Sequence, residues 1–173
     1  MDILRILIDF LKIYIPPMVA NGIPVVVSKF IKGRPLDRGK YLSDGKRILG
    51  DGKTVEGTIF AILTGTLMGA IIGILNYYSL QYCFTGFLGS LGGILGDITK
   101  SFFKRRIGIE RGGMLPLVDQ LDFYLGSTLF IYLCPICAHP SLDVFLFGII
   151  IIPLLHLSTN YIAFKLHLKS VPW

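Results

Sequence analysis

The chain has 173 residues, of which 53% are hydrophobic and only 16% charged, and its mean hydropathy is +0.67. A soluble domain carries about a quarter charged residues, so composition excludes an ordinary soluble fold and places the chain in lipid. The net charge of +6 comes from 17 Lys and Arg against 11 Asp and Glu.

Apolar stretches approaching the roughly 20 residues that cross a bilayer run from Ile13 to Ile31, Val55 to Leu75, Cys83 to Ile98, Leu121 to Leu133 and Val144 to Leu166. Extended into their polar flanks, they predict five spans at about 3–31, 55–75, 83–104, 117–134 and 143–166. The fold expected is an all-α membrane protein, a single integral membrane domain over residues 1–173. Pro16, Pro17 and Pro24 fall inside the first stretch, which reads as one long kinked helix in preference to an interfacial helix followed by a span. The opening Met1-Asp2 is not basic and no small-x-small site follows, so no cleavable signal peptide is expected.

Eight cations (Lys29, Lys32, Arg34, Arg38, Lys40, Lys46, Arg47, Lys53) lie between spans one and two. Five more (Lys100, Lys104, Arg105, Arg106, Arg111) lie between spans three and four, and Lys165 and Lys169 follow span five. The connections from Asn76 to Tyr82 and from Cys134 to Leu142 contain none. The positive-inside rule therefore puts both basic loops and the C-terminus in the cytosol and the N-terminus outside. From Lys29 to Lys53, Asp37, Asp44 and Asp51 leave a net +5, which implies anionic ligands. Attraction to acidic head groups, worth about 1 kcal/mol per residue, is the plainer alternative.

Gly65, Gly69 and Gly73 in span two, and Gly86, Gly89, Gly92, Gly93 and Gly96 in span three, have the small-residue spacing of closely packed membrane helices. These spans are expected to pack together or against another subunit. Cys134-x-x-Cys137 with His139 nearby reads as a structural or incidental pair, open to a disulfide outside the cell, because zinc wants four ligands. His156 reads as a packing residue.

Asp97 is a carboxylate at the cytosolic end of a glycine-rich membrane helix, where it needs a partner or a metal. Lys100, Ser101 and Lys104 follow at i+3, i+4 and i+7 on the same face, flanked by Arg105 and Arg106. An ion-pair stack on a helix end is the alternative. After the loop Arg111-Gly112-Gly113-Met114-Leu115-Pro116 come Asp119 and Asp122, also at i and i+3. Three aspartates on neighbouring helix ends repel unless they share a hard divalent ion, and magnesium, which takes protein carboxylates together with substrate phosphates, is the natural candidate. In the first loop, Asp44-Gly45-Lys46-Arg47 is echoed by Asp51-Gly52-Lys53-Thr54, whose glycine turns and lysine suit phosphate. A P-loop is excluded, since Arg47 stands where its first glycine belongs. Asn21, within the first span, either faces the site or bonds another helix.

Ser101-Phe102-Phe103-Lys104-Arg105 followed by Asp119-Gln120-Leu121-Asp122 resembles the signature of CTP-dependent phosphatidate cytidylyltransferases, with Gln120 in place of Arg and Arg111-Gly112-Gly113 in place of His-Gly-Gly. Over nearly its whole length the chain is similar to the archaeal branch, the CDP-archaeol synthases. That resemblance rests on Ala20-Asn21-Gly22-Ile23-Pro24, Arg34-Pro35-Leu36-Asp37-Arg38-Gly39-Lys40, Asp44 to Thr54, Gly96-Asp97, Lys104 to Gly108 and Leu115 to Phe123. Val55-Glu56 replaces Trp-Arg.

The resemblance implies that CTP and 2,3-bis-O-geranylgeranylglycerol 1-phosphate yield a CDP-activated diether lipid and pyrophosphate, with magnesium held by Asp97, Asp119 and Asp122. Lys53, Lys100, Lys104, Arg105 and Arg106 then hold phosphates with Gly52 and Thr54, while Asn21, Asp51 and Ser101 complete the nucleotide site. The partners expected are CTP, the diether lipid phosphate and membrane lipids, with no nucleic acid, and the active site faces the cytosol of a multi-pass cell-membrane protein. The rival reading is a small transporter or channel-like subunit with lipid-binding basic loops.

Overall fold

The protein is described by a computed structural model covering residues 2–110 and 112–172. Five α-helices follow in order: α1 (Ile3–Phe30), α2 (Val55–Leu75), α3 (Leu80–Arg106), α4 (Val118–Tyr132) and α5 (Leu142–Lys165). Among the described residues there is no named strand, only isolated bridges between Pro35 and Thr54 and between Tyr41 and Arg47.

Each helix starts for a local reason. The Asp2 carboxylate accepts from Leu4 N and Arg5 N to cap α1, and Thr54 Oγ1 accepts from Gly57 N to cap α2. Pro16, Pro17 and Pro24 lie within α1, which is one helix throughout, not two segments. Two helices, α2 and α5, are long and apolar enough to cross a membrane. They expose Leu63, Leu67, Ile71 and Leu146, Ile150, Leu154, outward apolar surfaces suited to lipid. At 15 residues α4 rises only about 22 Å.

Two glycine seams set the packing. A Cβ on Gly69 would stand 2.7 Å from Gly86 Cα, so α2 and α3 touch backbone to backbone. On the other side of α3, a Cβ on Gly92 would meet Gly126 O at 2.4 Å, and one on Gly96 would meet Asp122 O at 2.4 Å. The α2–α3 seam is therefore closed, as the glycine spacing on the two spans predicts. The aromatic core lies between α1, α4 and α5, where Tyr14 and Tyr124 have ring centroids 4.6 Å apart and Tyr14 Oη lies 2.8 Å from Thr128 Oγ1.

The two basic loops meet at one end of the bundle, where Arg106 Nη1 donates to both oxygens of Asp44 at 2.9 Å and Lys46 Nζ to Arg106 O at 2.8 Å. At the other end Arg5 pairs with Asp143, and Ala138 N donates to Thr85 Oγ1. Cys134 and Cys137 lie here with free thiols, so that disulfide is not formed. Burial and the neighbouring Cys134 push the Cys137 thiol up to about 12, which disfavours the thiolate that oxidation needs.

Candidate active site

Because α3 and α4 approach to backbone contact at Gly96 and Asp122, carboxylates on the two helices face one another at the loop end. Lys100 Nζ stands 3.0 Å from Asp97 Oδ1, 3.4 Å from Asp119 Oδ1 and 2.6 Å from Asp122 Oδ2. Lys53, brought in by the first loop, pairs with Asp97. One turn beyond Lys100, Lys104 Nζ donates to both oxygens of Asp119 at 2.9 Å and to Gly113 O at 2.5 Å. Three carboxylates and three ammoniums thus balance in a largely buried cluster, with the Asp122 side chain only 4% exposed.

Asp119 is held by its own turn. Leu115 N donates to Asp119 Oδ2 at 2.6 Å, and Val118 N donates to Pro116 O at 2.7 Å across Leu117, whose φ of 62° and ψ of −45° make a γ-turn of the strained, positive-φ kind.

The first loop is folded around a residue that sequence reasoning did not single out. Asp37, buried, accepts from Arg47 Nη2 at 2.8 Å and Nε at 3.1 Å, and from the amides of Gly39, Leu49 and Gly50 at 2.9–3.0 Å. Arg47, then those amides, hold its carboxyl well below the usual carboxylate range, against the effect of burial. Leu36 N donates to Lys53 O, and the Glu56 carboxylate accepts from Arg34 N and Nε at 2.7 and 2.8 Å. The knot and this clasp fix Gly52-Lys53-Thr54 beside Asp97, where Pro24, Gly57 and Ile94 complete a small polar slot.

The structure therefore brings together Asp97, Lys100, Lys104, Asp119 and Asp122 with Gly52, Lys53 and Thr54. Other expected site residues are engaged elsewhere. Arg106 ties the loops together through Asp44 and Arg47 O, and Asp51 pairs with Arg47 at 2.9 Å. The Ser101 hydroxyl donates back to Asp97 O at 2.9 Å. Arg105 is half-buried, and burial lowers its pKa. Asn21 lines a separate cavity with Phe123 and His156, and Arg111 lies outside the described residues. The spacing of Asp97, Lys100 and Lys104 was enough to signal the ladder on α3. No local pattern signals the Asp37 knot, whose partners other than Gly39 lie 10 to 13 positions away.

Among the described residues no three acidic, His or Cys side chains form a ready metal cage, because the Lys100 ammonium holds the centre of the carboxylate group. The donor set nevertheless suits a hard cation. It offers oxygens around a position already filled by positive charge, and Asp122 Oδ2 is buried without a well-formed hydrogen bond, its contact to Lys100 being an ion pair.

Residues 3–173 match the family described as CarS-like CDP-archaeol synthase. A CDP-archaeol synthase of Sulfolobus acidocaldarius is 44% identical over 163 residues, covering 92% of this chain and 94% of that protein. One from Sulfurisphaera tokodaii is 40% identical over 176 aligned positions, covering both chains fully. A solved structure of an intramembrane enzyme for archaeal membrane lipid biosynthesis superposes with a TM-score of 0.76 at 38% identity, covering 87% of this chain and 91% of its own. These likenesses give no support to the transporter alternative, and the chain belongs to the CarS-like family of CDP-archaeol synthases.

Proposed function

We propose that the chain transfers the cytidylyl group of CTP to 2,3-bis-O-geranylgeranylglycerol 1-phosphate at the cluster where α3 and α4 meet. The observation that carries this reading is the convergence of Asp97, Asp119 and Asp122 on the single Lys100 ammonium, beside the Gly52-Lys53-Thr54 turn. A lipid phosphate oxygen forms a bond to the α-phosphorus of CTP as the bond to the bridging oxygen breaks, and pyrophosphate leaves with the electron pair. The nucleophile is already ionised, so no general base is required.

Asp97, Asp119 and Asp122 would hold Mg2+, which when bound beside the triphosphate supplies neutralisation of charge on its oxygens. The chain's own part is positioning. Lys53, Lys100 and Lys104 are paired with carboxylates, and on nucleotide arrival they turn to phosphate oxygens as charge-assisted donors. Thr54 Oγ1 accepts from Gly57 N, leaving its hydroxyl proton to donate to a phosphate, as Gly52 N does. Asp37, Arg47 and Arg106 act one layer out, fixing the loop that carries Lys53.

We place the five helices across the cell membrane with the cluster on the cytosolic face. The meeting of both basic loops at one end of the bundle, with α2 and α5 apolar enough to span, supports this orientation.

Purified protein given CTP, Mg2+ and the diether phosphate should release pyrophosphate, and Asp119→Asn or Asp122→Asn should lower the rate by about a hundredfold or more. Unchanged release in both variants overturns the assignment of these carboxylates. CTP, rather than ATP, should raise the melting temperature.

A further inference from the structure

Outside the cluster, an unassigned cavity of about 200 Å3 is bounded by Met18, Asn21 and Val25 of α1, Phe123 of α4, and His156 and Asn160 of α5. Its lining is mainly apolar with polar groups inserted, the character of a site for an amphipathic molecule. It adjoins the carboxylate cluster, since Phe123 N donates to Asp122 Oδ1 at 2.7 Å. Gly22 and Val25 line this cavity and Pro24 lines the Gly52-Lys53-Thr54 slot, so one turn of α1 separates the two.

The segment after α5 closes the cavity's loop end. His167 adopts a φ of 55°, and both Leu168 N and Lys169 N donate to Ala163 O, at 2.8 and 3.3 Å, so the chain reverses on itself. Leu168 thereby lines the cavity. Two residues on, Val171 reaches the second loop, 4.0 Å from where a Cβ on Gly112 would lie. Lys169, between these anchors, is half-buried. Burial and then the charge of Lys100 lower its pKa, opposed by Asp119.

We propose that this cavity seats the head of the isoprenoid diether phosphate, its glycerol and first isoprenoid units lying on the apolar lining and its phosphate held at the cluster end by Lys169. This deepens, and rests on, the cytidylyltransferase reading above. It also fits the stereochemistry of in-line displacement, in which attacking and leaving oxygens lie on opposite sides of the phosphorus. Pyrophosphate leaves on the side of Gly52-Lys53-Thr54, and the lipid phosphate arrives from the other side of α1.

The test uses full-length protein in vesicles with CTP, Mg2+ and the diether phosphate. Leu168→Trp and Lys169→Ala should each raise the KM for lipid phosphate by about tenfold, with the KM for CTP and its thermal stabilisation unchanged, and Lys169→Arg should restore most of the loss. A photoactivatable diether phosphate carrying its reactive group in the first isoprenoid unit should label wild-type peptides spanning Met18–Val25 or Leu155–Leu168, a readout that needs no variant to fold. Labelling confined to other helices, or an effect on CTP rather than lipid, overturns the proposal. Absence of any CTP-dependent pyrophosphate release in wild type instead removes the underlying reaction.

Discussion

Lys100 Nζ lies 2.6 Å from Asp122 Oδ2, and the same ammonium reaches Asp97 on its own helix. It is the counter-ion that joins α3 to α4 before any ligand arrives. Lys100→Met leaves buried carboxylates short of one positive charge, a loss worth about 3–5 kcal/mol. The variant should melt lower than wild type. Mg2+ without nucleotide should then raise the melting temperature of Lys100→Met clearly, while leaving the charge-balanced wild type nearly unmoved. Equal shifts in the two proteins would show that the ammonium does not stand where the ion binds.

Asp37 and Arg47 give the first loop its shape. Asp37→Asn removes the ion pair but leaves the backbone pattern partly satisfied, and should loosen residues 31–54 and raise the KM for CTP about tenfold. Amide hydrogen exchange over the loop, compared with that of α2, distinguishes this from global unfolding.

The same carboxyl sets a pH dependence. Its folded pKa is depressed by Arg47 and by the amides of Gly50, Leu49 and Gly39, so its contribution is complete above the unfolded value of about 3.9 and is lost as pH falls further toward the folded value. The protection factors of the loop amides, which remove the intrinsic pH dependence of exchange, should therefore be flat between about pH 7 and pH 5 and fall below about pH 4. In Asp37→Asn that acid step should be missing.

Leu117 holds a positive φ at the head of α4, where glycine would be relieved of about 1–3 kcal/mol of strain. Leu117→Gly should raise the melting temperature or leave it level, in contrast to the usual cost of a glycine substitution. A clear drop would mean that the Leu117 side chain, though exposed, contributes packing that outweighs the turn.

At the α3–α4 seam, Gly96→Ala places a methyl 2.4 Å from Asp122 O. The backbones must part, at about 1–3 kcal/mol, and because Asp122 moves with them, pyrophosphate release should fall further than the melting temperature alone accounts for.

The helices were legible because apolar runs and charge gaps mark them directly: Val55 to Leu75 is found as read, and Pro16 and Pro17 sit inside one α1 as expected. The Asp97, Lys100 and Lys104 face followed from helical spacing, and glycines on spans two and three did announce a close seam. Arg106 stands two residues beyond Lys104, and that much helical rotation turns it toward Asp44. Asp37 and Lys169 act through chain reversals, at Arg38 and Gly39 and at His167, and linear spacing carries little trace of such contacts.

The brevity of α4 has a consequence for the surrounding bilayer. Its 15 residues fall short of a hydrocarbon layer of about 30 Å, whereas α1, with 28, exceeds it. In the membrane placement proposed above, lipid beside the short helix thins, and the head-group plane there dips toward the carboxylates. A reagent dissolved in water and another dissolved in oil can then meet in that hollow without either leaving its own solvent.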